Sequence, residues 1–143
     1  VTSREITTSD FKINDVTVNP TNDLIAVGKS DGTVVQIDRA TKAQQIVYQH
    51  PTKIAISAIE FSADGKWLVV GSEDGALALI NQQTKEVTPL TKHRAQVNNI
   101  AFSPNNNLLA TGSWDKTVKI WNLEKMTESP IVLRDHNDWV WSI

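Results

Sequence analysis

The chain has 143 residues, of which 40% are hydrophobic and 21% charged, with a formal net charge of −2 and no cysteine. That is enough for one domain with a core. It excludes disulfide and thiolate chemistry, gives no basic footprint for non-specific nucleic-acid binding, and offers no apolar run near the ~20 residues of a membrane helix. The first residues, VTSREITTSD, are polar and carry no signal-peptide segment, so a cytoplasmic location is expected.

In chain order, residues 1–10 read as the edge strand of a preceding unit, because EITTS stands where EVTPL stands later. A strand then runs near Ile13–Val18 and turns at Asn19-Pro20. LIAVG follows as a nearly continuous apolar run, which suits a strand buried on both faces. Asp31-Gly32 makes a tight primed turn, TVVQI is the third strand, and QQIVY a weaker fourth. The second pass is Ile56–Phe61, a turn at Asp64-Gly65, WLVVG, a turn at Asp74-Gly75, ALALI and EVTPL. The third is Val97–Phe102, a turn at Pro104-Asn105, LLATG, a turn at Asp115-Lys116, TVKIW and SPIVL. Pro89 and Pro130 fall in the fourth strands; proline removes a ladder donor, so those strands belong at a sheet edge.

These passes are one repeat. His50, His93 and His136 recur every 43 residues, and Asp31, Asp74 and Asp115 are spaced by 43 and 41. The units run approximately over 11–50, 51–93 and 94–136, with a partial fourth, the start of its first strand, at 137–143. Four short strands per ~40–45 residues is the blade of a β-propeller. The expected fold is therefore all-β. Three blades leave an open arc, and propellers close with ~4–8. The rest of the ring is expected from further sequence of the same chain, or else from a second copy.

The third unit, with its His followed by AFSPNNNLLATGSWDKTVKIWN, closely resembles the WD-repeat (WD40) family. The resemblance implies a structural tetrad of His93, Thr111, Asp115 and Trp121, joined by hydrogen bonds and locking the blade. The second unit keeps His50 and Asp74 but has Val70 and Ile80 at the other two places. The first keeps only Asp31, with Val27 and Ile37. Those two units are expected to rely on apolar packing.

The resemblance also implies that partners dock on the face made by the residue before the turn Asp and by two positions entering the first strand. These are Ser30, Glu73 and Trp114 at the turns, Gln96 with Asn98 in unit three, and Trp139 with Trp141 in the fourth. Ala55 with Ser57 and Lys12 with Asn14 correspond in the earlier units. Large surface aromatics are typical interface anchors; the alternatives are that the indoles stack on one another and merely seal the blade tops, or that Trp141 turns into the core between units. His93, Thr111 and Asp115 have the residue types of a nucleophilic triad, but the blade lock accounts for the same three. Clustered metal ligands, a calcium loop and a phosphate-cradling glycine loop are all missing, so neither cofactor nor metal is expected.

The function expected is a non-enzymatic scaffold or adaptor that holds a protein or peptide partner, with no nucleic-acid or membrane role. The second reading is the sensor propeller of a larger signalling NTPase or kinase.

Overall fold

A computed structural model describes residues 11–143. The strand expected within 1–10 lies outside them. Twelve strands follow in order: β1 Ile13–Val18, β2 Leu24–Lys29, β3 Thr33–Asp38, β4 Gln44–Gln49, β5 Ile56–Phe61 and β6 Trp67–Ser72. Then come β7 Leu77–Asn81, β8 Val87–Leu90, β9 Val97–Phe102, β10 Leu108–Ser113, β11 Val118–Asn122 and β12 Ile131–Leu133. They form three antiparallel four-stranded meanders, β1-β2-β3-β4, β5-β6-β7-β8 and β9-β10-β11-β12. Pro89 lies in edge strand β8 and Pro130 directly precedes edge strand β12, where the missing N–H interrupts no ladder.

The sheets fan about a shared axis. The first strands are neighbours, β1 beside β5 and β5 beside β9, and β2 and β6 each also touch the first strand of the next sheet. Chain alternation explains the packing. Leu68 and Val70 of β6 enter a core with Ala26 and Val34 of the first sheet. Val69, one residue out of phase, enters a second core with Val97, Leu109 and Trp121 of the third. The middle sheet is thus apolar on both faces, which is why its second strand reads as an unbroken hydrophobic run.

Three glycines set the sheet spacing. A Cβ placed on Gly28 would lie 2.7 Å from Ile56, one on Gly71 2.7 Å from Val97, and one on Gly112 2.7 Å from Val140. Each glycine ends the apolar run of one unit and receives a first-strand side chain of the next. Side chains fasten the same seams: Asn14 Nδ2 donates to the Ile56 carbonyl at 2.9 Å and Ser57 Oγ to the Val97 carbonyl at 2.6 Å. The amides of Ile59 and Phe61 donate to Asp15 Oδ2 at 2.9 Å and Thr17 Oγ1 at 3.4 Å.

Residues 137–143 depart from expectation. They form no strand where the start of a first strand is expected. Val140 is nevertheless buried against Gly112, and its amide donates to the Ser113 carbonyl at 3.2 Å. The position corresponds to Ile56 and Val97.

Candidate functional site

The turn between β10 and β11 organises the third sheet. Asp115 Oδ1 accepts from the Thr117 amide at 2.9 Å and the Thr117 hydroxyl at 2.6 Å. Its Oδ2 accepts from the Arg94 amide and lies 2.9 Å from His93 Nδ1. His93 Nε2 is 2.8 Å from Thr111 Oγ1. The carboxylate therefore holds the proton on Nδ1 and leaves Nε2 to accept from the threonine. Burial opposes ionisation of Asp115, yet the bonds from Thr117, the Arg94 amide and His93 outweigh it and hold the carboxyl at about 2. Burial is also what pushes the His93 imidazole below its ordinary value, against the pull of Asp115.

Three of the four expected lock residues are joined in this way. Trp121 is not. It lies in the second core beside Val97 and Leu109, and no hydrogen bond ties its indole to Thr111 among the described residues. Apolar burial holds this ring. Thr111 and His93 are both fully buried, so the hydroxyl is closed off from any substrate and the triad arrangement has no accessible nucleophile.

The second sheet keeps half the lock: His50 Nε2 is 3.3 Å from Asp74 Oδ1. Ser72 Oγ donates to the same oxygen at 2.6 Å, supplying the hydroxyl that Thr117 supplies in the third sheet and Thr33 in the first. Val70 and Ile80 enter the first core as expected of apolar replacements. The hydroxyls of Ser72, Thr33 and Thr117 were not singled out by sequence. The signal was present, as a Ser or Thr two residues from each turn Asp.

The candidate docking face assembles around the same turns. The amides of Ser30, Glu73 and Trp114 donate to the carbonyls of Lys12, Ala55 and Gln96 at 2.9, 3.0 and 3.0 Å. Gln96 thus sits against Trp114. Trp114 stacks on Trp139, with ring centroids 4.8 Å apart and planes 15° apart. Trp141 tilts against both at 6.2 and 5.7 Å. Trp139 is 44% exposed and Trp141 61%, while the Trp114 Nε1–H is buried with no acceptor among the described residues. Glu73 is exposed on the neighbouring turn and makes no ion pair among the described residues.

Asn98 behaves differently from a docking residue. Its Nδ2 donates to the Val140 and Trp141 carbonyls at 3.3 and 3.1 Å. It is the counterpart of Asn14 and Ser57, fastening one unit to the next, so it holds Trp141 in place and its amide donors are already occupied. One pairing was also illegible as linear sequence. Burial first, and the charge of Asp15 second, raise the Glu60 carboxyl above its usual range, so the inner strands do bring two acids near each other. Asp15 is itself committed to the Val16 and Ile59 amides. No group of three or more His, Cys, Asp or Glu able to hold a metal occurs among the described residues.

Comparison with known families matches residues 16–91 to the family described as Anaphase-promoting complex subunit 4 WD40 domain, which is more than half the chain, and residues 84–122 to WD domain, G-beta repeat. The chain belongs to the WD40-repeat family. Among similar WD40 relatives, the guanine nucleotide-binding protein subunit beta of Schizosaccharomyces pombe is 30% identical over 95 residues, covering 66% of this chain and 31% of that protein. The target of rapamycin complex subunit wat1 of the same organism is 27% identical over 124 residues, covering 86% and 39%. The crystal structure of RRP9 WD40 repeats superposes with a TM-score of 0.85 at 21% identity, over 97% of this chain and 43% of that one. The chain therefore spans less than half the length of each of these WD40 proteins, 31%, 39% and 43% in turn, and the β-propeller is its fold class. The family is in general a protein-interaction fold.

Proposed function

We propose that the chain is a non-enzymatic adaptor whose docking anchor is the indole cluster of Trp114, Trp139 and Trp141, with Gln96 and Glu73 at its margin. One observation carries this reading. Three indoles from two adjacent units meet on one face, two of them keep large exposed areas, and the third holds an N–H with no acceptor among the described residues. An aromatic patch with a desolvated donor gains both apolar burial and a hydrogen bond when a peptide carbonyl arrives. The two relatives named above support the scaffold class, one being named a subunit of a guanine nucleotide-binding protein and the other a complex subunit. The partner is a protein or peptide, and the cysteine-free composition suits a reducing compartment such as the cytoplasm.

The test is partner capture by the intact protein compared with Trp114→Ala combined with Trp141→Ala. The same partners should be lost from the variant while its melting temperature stays close to wild type. Undiminished capture would show that binding lies elsewhere.

A further inference from the structure

A groove between the end of one sheet and the third and fourth strands of the next recurs in the second and third sheets, with the same strand placement and different chemistry. In the second sheet it is largely apolar, walled by Leu77, Val87, Pro89 and Leu90. In the third it has a volume of about 420 Å³ and is lined by Lys92, Arg94, Lys119 and Arg134 around a single carboxylate, Asp115. The histidine repeat makes Lys92 and Arg94 the counterparts of Gln49 and Pro51. Strand register makes Lys119, paired with Val132, the counterpart of Ala78, paired with Pro89. Arg134 follows Leu133 as Thr91 follows Leu90, and those two leucines pair with Val118 and Leu77. Three uncharged lining positions of the first groove, Gln49, Pro51 and Ala78, are thus cations in the other; Lys92 lines both grooves, and Arg134 lines the second where its counterpart Thr91 does not line the first.

Asp115 is the one carboxylate that lines this groove among the described residues. Both oxygens of Asp115 are filled by Thr117, Arg94 N–H and His93. The Lys92, Arg94 and Arg134 side chains have no hydrogen bond or ion pair among the described residues. Lys119 is only 8% exposed. Its ammonium donates to the Thr91 and Lys92 carbonyls at 3.1 and 2.6 Å, and its third N–H has no acceptor among the described residues. Burial first, then the charges of Arg134 and Arg94 against the attraction of Asp115, lower its pKa.

We propose that this groove of the third sheet binds the phosphoryl group of a phosphorylated peptide. A carboxylate brings one charge and two oxygens, whereas four converging cations match a dianion with three terminal oxygens. A nucleic-acid backbone needs a continuous basic stripe, and here the charge is confined to one pocket of a chain with net charge −2. The site is separate from the indole patch and does not rest on it.

The experiment measures fluorescence anisotropy on the intact protein with a degenerate peptide library fixed at a central phosphoserine, beside the same library with serine or glutamate there. The phosphoserine library binds at least roughly tenfold tighter than either, and inorganic phosphate displaces it. Arg94→Gln with Arg134→Gln, both unpartnered surface residues, abolishes the preference with an unchanged melting temperature. Lys119→Ala, which installs the residue the second sheet already carries, does the same. Trp114→Ala with Trp141→Ala leaves the preference intact. Equal binding of the glutamate library, equal binding of a single-stranded oligonucleotide, or a preference that survives the arginine double variant overturns the proposal.

Discussion

Gly71 and Val97 touch across the seam between the second and third sheets so closely that a methyl on Gly71 would lie 2.7 Å from both Cβ and Cγ1 of Val97. The backbone of β6 and a side chain of β9 share one van der Waals boundary, which leaves no flexible group to yield. Gly71→Ala should therefore destabilise the protein by roughly 1–3 kcal/mol, the usual penalty for overpacking a tight core. Urea denaturation reads this as a lowered midpoint. Adding Val97→Ala should recover part of the loss, giving a coupled double-mutant cycle. Strict additivity would mean that the two residues do not share the contact.

The turn acids should rank by how completely they are bonded. Asp115 takes four bonds and lies 2.9 Å from a fully buried imidazole. Asp74 reaches His50 only at 3.3 Å. Removing Asp115 strands a buried histidine and three further donors, costing about 2–4 kcal/mol, whereas Asp74→Ala costs about 1–2 kcal/mol. Equal losses by thermal melting would contradict the ranking.

Stability should fall on acidification in two stages. Burial keeps His93 neutral below its ordinary value of 6.5, so under acid the unfolded chain binds a proton that the folded one refuses. The folded state loses ground as pH drops below about 6.5. Asp115, held at about 2 against an ordinary 3.8, adds stability that is complete above 3.8 and is lost as pH falls towards 2. Melting curves from pH 7.5 to 5 should thus decline for wild type and flatten for His93→Gln. A slope retained in that variant would assign the effect to another group.

Lys116 occupies the turn position that Gly32 and Gly75 hold in the other sheets, at φ 68° where they have 82° and 86°. An L-residue there costs about 1–2 kcal/mol, and glycine returns about 0.5–1 kcal/mol of that as unfolded-state entropy. Lys116→Gly should stabilise by about 0.5 kcal/mol, since the exposed bond from Lys116 to the Asn137 carbonyl adds little. A lower melting temperature would count against this reading of the turn.

The strands were legible because each unit repeats apolar alternation and Asp-Gly or Pro-Asn turns, signals local in sequence. The histidine, threonine and aspartate of the third unit were legible for the same reason, through a fixed spacing. What the repeat could not tell was where a polar side chain spends its hydrogen bonds. Asn98 reads as a docking residue until Val140 and Trp141 are placed beside it, some 43 residues on. Trp121 reads as a hydrogen-bond donor until the second core encloses it. The cationic groove was equally hidden, because Lys92, Lys119 and Arg134 are far apart in the chain and converge only through strand register.

The amides of Ile59 and Phe61 are claimed by Asp15 and Thr17, side chains rather than a neighbouring backbone. A free strand from another molecule finds these two N–H groups of β5 already taken. The risk of runaway strand addition then lies outward, at edge strands β4, β8 and β12; Pro89 withholds one donor in β8, and Pro130 precedes a β12 only three residues long.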